Sequence, residues 1–80
     1  MEYDVEVRIN LKKGVLDAEG ETIEKSLKLL GYDVKKVETV KVYRIKIAAK
    51  SKKDAEATIK DACEKLLANP VIQEYDIRVE

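Results

Sequence analysis

Apolar and polar residues alternate strictly near the start of the chain. The odd-numbered positions are apolar, and they are Tyr3, Val5, Val7, Ile9 and Leu11. The even-numbered positions between them are polar, and they are Asp4, Glu6, Arg8 and Asn10. A period of two puts successive side chains on opposite faces of an extended chain, so residues 3–11 are predicted to form a half-buried β-strand. Near the other end, Tyr75, Ile77 and Val79 repeat the alternation and predict the last strand.

A helical period follows the first strand. Asp17 is placed to cap a helix on which Ile23, Leu27 and Leu30 recur at helical spacing. Gly31 lies where a glycine commonly ends a helix, because it adopts the left-handed conformation without strain. The pattern therefore predicts a first helix between Asp17 and Gly31.

A second helix is predicted after Ser51, which suits an N-cap with Asp54 three residues later. Its apolar stripe consists of Ala55, Ile59, Ala62, Cys63, Leu66 and Leu67. Asn69-Pro70 is expected to end this helix, because the residue before a proline avoids the α region.

Between the two helices, residues 34–49 are rich in β-branched side chains. The apolar parity shifts within this stretch, which predicts a turn or bulge near Val40–Val42 and two separate strands. The resulting order is β-α-β-β-α-β. It predicts an α+β fold of the ferredoxin-like type, with two helices on one face of a four-stranded antiparallel sheet. Eighty residues suffice for one domain, residues 1–80.

Charge is abundant but balanced, with 16 basic and 16 acidic residues. A nucleic-acid-binding protein usually carries a basic excess, and a polybasic membrane anchor does as well, so neither partner is expected. No apolar run is long enough to span a membrane. We therefore expect a cytoplasmic protein.

The side chains that perform chemistry most often are missing. The chain has no histidine and one cysteine, Cys63, so a histidine-activated nucleophile and a cysteine zinc site are excluded within one chain. Its three glycines are too dispersed for a phosphate-binding loop. Cys63 is best interpreted as a small buried hydrophobic residue. We predict no catalytic, cofactor-binding or metal-binding residue, and a function through partner binding.

RNA binding needs a separate test, because the RNA recognition motif shares this topology and stacks bases on aromatic residues of its open sheet face. Tyr3, Tyr43 and Tyr75 share the parity of the apolar strand residues. They are therefore expected on the helix-covered face, while the open face carries mixed charges.

Three stretches resemble the PurS family, the small subunit of phosphoribosylformylglycinamidine synthase. They read Leu11-Lys-Lys-Gly-Val-Leu-Asp17, Leu30-Gly-Tyr32 and Cys63-Glu-Lys-Leu-Leu-Ala-Asn-Pro-Val-Ile72, the last followed by Tyr75. The resemblance runs in order over essentially the whole chain. One departure is Thr39-Val40-Lys41, where family members commonly have Val-Gly-Lys. A valine cannot take a positive φ without strain, so a different turn is expected there.

The resemblance implies a non-catalytic subunit of a purine-biosynthesis ligase that hydrolyses glutamine and uses ATP. The family's large subunit, PurL, carries the amidation, so ATP and magnesium are expected there and no cofactor in this chain. A glutaminase subunit, PurQ, releases ammonia. PurS is expected to be needed for their assembly, and family members are at least dimers, so a homodimer or tetramer is implied.

Partner contacts are predicted at Lys12, Lys13 and Gly14 and at Asn69 and Pro70, which lie at strand–helix junctions within the matching stretches. Two alternatives remain open for these residues: Lys12-Lys13-Gly14 could bind a phosphate, and Asn69-Pro70 could simply end a helix. For the whole chain, the alternative is an ACT-like regulatory module that binds an amino acid.

Overall fold

A computed structural model describes residues 1–80. The chain forms three strands, two α-helices and one short π-helical segment. In order they are β1 (Glu2–Leu11), α1 (Ala18–Leu29), β2 (Val40–Ala48), α2 (Lys52–Ala62), the π-helical turn (Cys63–Leu67) and β3 (Gln73–Val79).

The sheet is antiparallel, with β1 in the centre and the strand order β2-β1-β3. Val5 lies opposite Ile45 on one side and opposite Val79 on the other, so apolar residues of all three strands share one face. This arrangement confirms the two strands predicted from strict alternation, since a period of two fits a sheet with one buried face.

The predicted four-stranded sheet is wrong, because residues 33–39 form no strand. The Val37 N–H donates to Glu24 Oε1 at 3.2 Å, and the Thr39 N–H donates to Asp17 Oδ2 at 2.7 Å. Two N–H groups of this segment thus bond to the carboxylates of the α1 N-cap and of the middle of α1, and not to a neighbouring strand. The ACT-like alternative rested on the four-stranded topology and loses that support.

The turn predicted near Val40–Val42 is also wrong. Both valines lie inside the continuous strand β2, opposite Asn10 and Arg8, and no residue other than glycine has a positive φ. Their side chains point to the open face of the sheet, where Val42 is 46 % exposed. The parity shift in the sequence therefore marks exposed valines on the open face and not a break in the strand.

The core lies between the sheet and α2. Its buried members are Val5, Val7, Ile9, Ile59, Cys63 and Ala68. Half-buried residues of β2 and β3 surround them, among them Ile45 and Ile77. The full burial of Cys63 confirms its interpretation as a small hydrophobic residue.

A π-helical turn ends α2 and changes which residues face the core. The Ala68 N–H donates to the Cys63 carbonyl oxygen, five residues earlier, at 2.9 Å. This wider turn rotates the following side chains relative to an α-helix. Leu66, predicted on the apolar stripe, is 82 % exposed, and Ala68 is buried in its place.

Helix α1 makes almost no contact with the sheet, so the prediction of two helices on one face holds for α2 alone. We call residues 18–39, comprising α1 and the segment that returns along it, the arm. Because the arm extends away from the sheet, the radius of gyration is 16.1 Å, against about 12 Å for a compact 80-residue domain. Neither helix is long and apolar enough to cross a membrane.

Candidate partner-binding site

The turn after β1 contains three of the predicted contact residues. Gly14 has a φ of 88°, a conformation that favours glycine. The Val15 N–H donates to the Lys12 carbonyl oxygen at 3.1 Å and closes the turn. Lys13 and Gly14 are exposed, and Lys12 is half-buried. The turn therefore presents its lysines at the surface.

The turn before β3 contains the other two predicted residues. Asn69 Oδ1 accepts from the Val71 N–H at 3.1 Å, while the Asn69 N–H donates to Gln73 Oε1 at 2.7 Å. Asn69 thus stabilises the turn that follows the π-helical segment, which agrees with the alternative that Asn69-Pro70 ends a helix. Asn69 and Pro70 are both exposed, so a surface role at this turn is also open to them.

One backbone hydrogen bond joins these two turns. The Lys12 N–H donates to the Ile72 carbonyl oxygen at 2.8 Å, one step beyond the β1–β3 ladder. Residues 12–14 and 69–72 therefore meet at the same end of the sheet, although the sequence separates them by more than 50 positions. Contact with a partner at this end remains a prediction.

The arm leaves the sheet next to this end, and Asp17 holds its base together. Asp17 Oδ1 accepts from the Gly20 N–H at 2.9 Å, which confirms the predicted N-cap. Its other oxygen accepts from the Thr39 N–H. The bonds from Thr39 and Gly20 hold the pKa of the Asp17 carboxyl below its ordinary value. Sequence reasoning found the cap but not the second bond, which joins residues 22 positions apart.

A cleft of about 550 Å³ lies between the arm and the sheet. Lys12, Lys13 and Gly14 line it on one side, and Glu24 and Lys36 line it on the arm. Both signs of charge occur along its walls. The cleft therefore presents a mixed polar surface beside the predicted contact residues.

The tyrosines lie on the helix face, as predicted. Tyr43 is opposite Val7, and Tyr75 is opposite Ile9. The Tyr75 hydroxyl donates to Glu64 Oε1 at 3.0 Å. On the open face charges alternate in sign, with Glu6 between Arg44 and Arg78.

Metal-ligating clusters and the single thiol can be examined directly in the fold. No three His, Cys, Asp or Glu side chains form a group that could hold a metal ion. Burial, and secondarily the charge of Glu64, raises the pKa of the Cys63 thiol. A buried thiol that resists deprotonation is a poor nucleophile. The surface features described above, two exposed turns and a polar cleft, therefore offer contacts to another molecule.

Acidification is expected to release the bond between Asp17 and Thr39. Since the folded pKa of Asp17 is lowered, its stabilising effect is fully present above the unfolded value of about 3.9 and is lost as the pH falls through the folded value. NMR titration of the Thr39 and Gly20 amide shifts should show a common midpoint below about 3.9. Asp17→Asn should abolish this step, and a midpoint at or above the ordinary value would contradict the assignment.

The amino-acid sequence is similar to that of one known protein family. A family model described as PurS, phosphoribosylformylglycinamidine (FGAM) synthase, matches residues 4–80. The chain is 60 % identical over 73 residues to phosphoribosylformylglycinamidine synthase subunit PurS of Archaeoglobus fulgidus, covering 90 % of this chain and 91 % of that one. It is 44 % identical over 79 residues to the same subunit of Methanothermobacter thermautotrophicus, covering 99 % and 94 %.

Solved structures agree with this similarity. PurS of Methanocaldococcus jannaschii superimposes with a TM-score of 0.89 at 46 % identity, covering 98 % of this chain and 95 % of that one. A chain in the structure described as PurLQS from Thermotoga maritima gives a TM-score of 0.92 at 34 % identity, covering 100 % and 99 %.

Proposed function

The chain belongs to the PurS family, and from this premise we propose that it is the small, non-catalytic subunit of phosphoribosylformylglycinamidine synthase in purine biosynthesis. The match over residues 4–80 carries this proposal. The amidation and the hydrolysis of glutamine are assigned to other chains of the complex, where ATP and magnesium are expected. We place the complex in the cytoplasm.

We infer that its partners are the PurL and PurQ subunits. The structure described as PurLQS from Thermotoga maritima supports this inference, since one of its chains matches the whole of this one. A subunit without reacting groups contributes by holding larger partners together. Ammonia made at one active site and used at another would otherwise escape into water, and a subunit that excludes water from the junction limits that loss.

We further infer that the chain associates with itself. Only eight of its 80 residues are buried, which is little for a domain of this size. The arm exposes apolar side chains, with Leu30 73 % exposed, and Tyr43 on the helix face of β2 is 39 % exposed. The arm of one copy lying over the uncovered half of another copy's sheet would bury both surfaces, in a dimer or as part of a tetramer.

Reconstitution tests the adaptor function directly. Purified PurL and PurQ subunits of the same organism are assayed for glutamine-dependent synthesis of formylglycinamidine ribonucleotide, with and without this chain. The activity is expected to depend on the chain, because assembly and ammonia transfer require it. Full activity in its absence would refute the proposal.

Reversing the charge of the turn after β1 tests the predicted contact site. We expect Lys12→Glu with Lys13→Glu to weaken co-purification with PurL and PurQ, because charged side chains at an interface contribute to docking through charge complementarity. The adjacent pair Lys52 and Lys53 gives a matched control, since it lies near the opposite end of the sheet. If both double variants assemble equally well with PurL and PurQ, Lys12 and Lys13 do not lie in the interface.

A further inference from the structure

One side of α1 binds the segment that leads into β2. Asp17, Gly20 and Glu24 are spaced three and four residues apart, so they lie on the same side of the helix. Asp17 Oδ2 accepts from the Thr39 N–H at 2.7 Å. Glu24 Oε1 accepts from the Val37 N–H at 3.2 Å. Gly20 between them is buried, and a Cβ there would lie 2.7 Å from the Val37 carbonyl oxygen. These three residues together hold the segment against the helix.

The arm has little other support. Helix α1 makes almost no contact with the sheet, so packing of the core does not fix its direction. β2 begins at Val40, directly after Thr39. The bond from Thr39 to Asp17 therefore connects the start of the helix to the start of a strand. Because segments with few packed contacts open at low cost, the direction of the arm depends on these few hydrogen bonds.

Apolar side chains lie on the neighbouring side of α1. Ile23 is 43 % exposed and Leu30 is 73 % exposed, and Leu27 of the same stripe is half-buried. Ile23 and Glu24 are consecutive, so they are about 100° apart around the helix. Residues 37–39 cover the side that contains Glu24 and leave the apolar stripe uncovered. Binding of this segment thus decides which side of α1 faces another molecule.

We propose that Asp17 and Glu24 are positioning residues for self-association, which fix α1 so that its apolar stripe meets a second copy of the chain. The proposal rests on the self-association inferred under the proposed function. A second copy is the occupant because α2 packs mainly on β1 and β3 and leaves much of the helix face of β2 as a matching apolar surface. A preorganised arm loses little conformational entropy on binding, whereas a loose arm must first be ordered. In a symmetric dimer both arms are affected equally.

Asp17→Asn tests the anchor without removing the helix cap. Asparagine is an equally good N-cap and keeps one acceptor oxygen for the Gly20 N–H, but it places an NH2 group against the Thr39 N–H. We expect the dissociation constant of self-association, measured by sedimentation velocity over a dilution series, to rise about tenfold or more. Asp61→Asn on the exposed side of α2 is the matched control. Equal dissociation constants for the two variants would overturn the proposal.

Glu24 gives an independent test at the other hydrogen bond. Glu24 Oε2 also pairs with Lys28 Nζ at 3.3 Å, so Lys28→Ala removes the ion pair alone. Glu24→Ala removes in addition the acceptor for the Val37 N–H and should weaken self-association by about tenfold relative to Lys28→Ala. Glu24→Gln keeps an acceptor oxygen and should restore most of the affinity. If Glu24→Ala and Lys28→Ala associate equally well, Glu24 has no positioning role.

Amide hydrogen exchange separates positioning from loss of the fold. In the natural chain the Thr39 amide should be protected, because it donates to Asp17. In Asp17→Asn it should exchange freely, while the amide of Val7 in the central strand stays protected and the helix content in circular dichroism is unchanged. Free exchange of the Thr39 amide in the natural chain would refute the anchor.

Reconstitution with PurL and PurQ distinguishes failure of this proposal from failure of the proposed function. If the natural chain self-associates but PurL and PurQ are fully active without it, the proposed function fails and the positioning role stands. If the chain supports activity and self-associates but Asp17→Asn behaves like Asp61→Asn, only the positioning role fails. A chain that stays monomeric at every concentration would overturn the inferred self-association and the positioning role together.

Discussion

Replacing Ile59 by alanine is expected to lower the free energy of unfolding by about 2–5 kcal/mol. Ile59 is almost fully buried and anchors α2 on β1, where it meets the core formed with Val5, Val7 and Ile9. An 80-residue domain has a total stability of about 4–12 kcal/mol. The variant should therefore lose a large fraction of its stability and unfold at a lower urea concentration than the natural chain. Urea unfolding monitored by circular dichroism measures the loss.

Leu66→Ala is the matched control, because it removes a side chain of similar size from the same helical segment. Leu66 is exposed through the π-helical turn, so its truncation should change stability by less than about 0.5 kcal/mol. Equal losses for the two variants would mean that Leu66 faces the core and that α2 continues as a regular α-helix.

Gly20→Ala is expected to destabilise the arm, although the same exchange in an exposed helix usually adds about 0.5–1 kcal/mol of stability. An added Cβ would lie 2.6 Å from Asp17 Oδ2 and 2.7 Å from the Val37 carbonyl oxygen. Both contacts are too short, so Asp17 must move and the bond to Thr39 is lost. We expect a lower melting temperature and a changed Thr39 amide shift in the NMR spectrum.

Ser26→Ala provides the comparison within the same helix. Ser26 is exposed on α1, so this exchange tests helix propensity without a steric contact and should leave Thr39 unaffected. A rise in melting temperature for Gly20→Ala similar to that for Ser26→Ala would contradict the close approach of residues 37–39 to α1.

Short-range patterns predicted much of this fold. The strict alternation in residues 3–11 and 75–79 identified two strands, because the two faces of a sheet with one buried side select opposite residue types. Asp17 and Ser51 were recognised as N-caps, since a side chain that accepts an N–H three residues later depends only on local sequence. The helix-face position of the tyrosines followed from the same parity.

The candidate site was predictable only in pieces. Each of the two turns has its own local signal, in Gly14 and in Asn69-Pro70. Their meeting depends on the β1–β3 register and on the bond from Lys12 to Ile72, which no local pattern encodes. The binding of residues 37–39 to α1 was missed altogether, because the β-branched residues before Val40 were interpreted as a strand of the sheet.

The sequence by itself determined β1 and β3, the helix starts and most of the apolar stripe of α2, all of which follow from residue type and spacing over a few positions. Only the tertiary structure decided that residues 33–39 join α1 and not the sheet. That choice depends on the carboxylates of Asp17 and Glu24, which accept N–H groups 22 and 13 residues away. A side-chain carboxylate and a neighbouring strand can each accept the same backbone N–H group. Which of them does so depends on the tertiary arrangement of the chain.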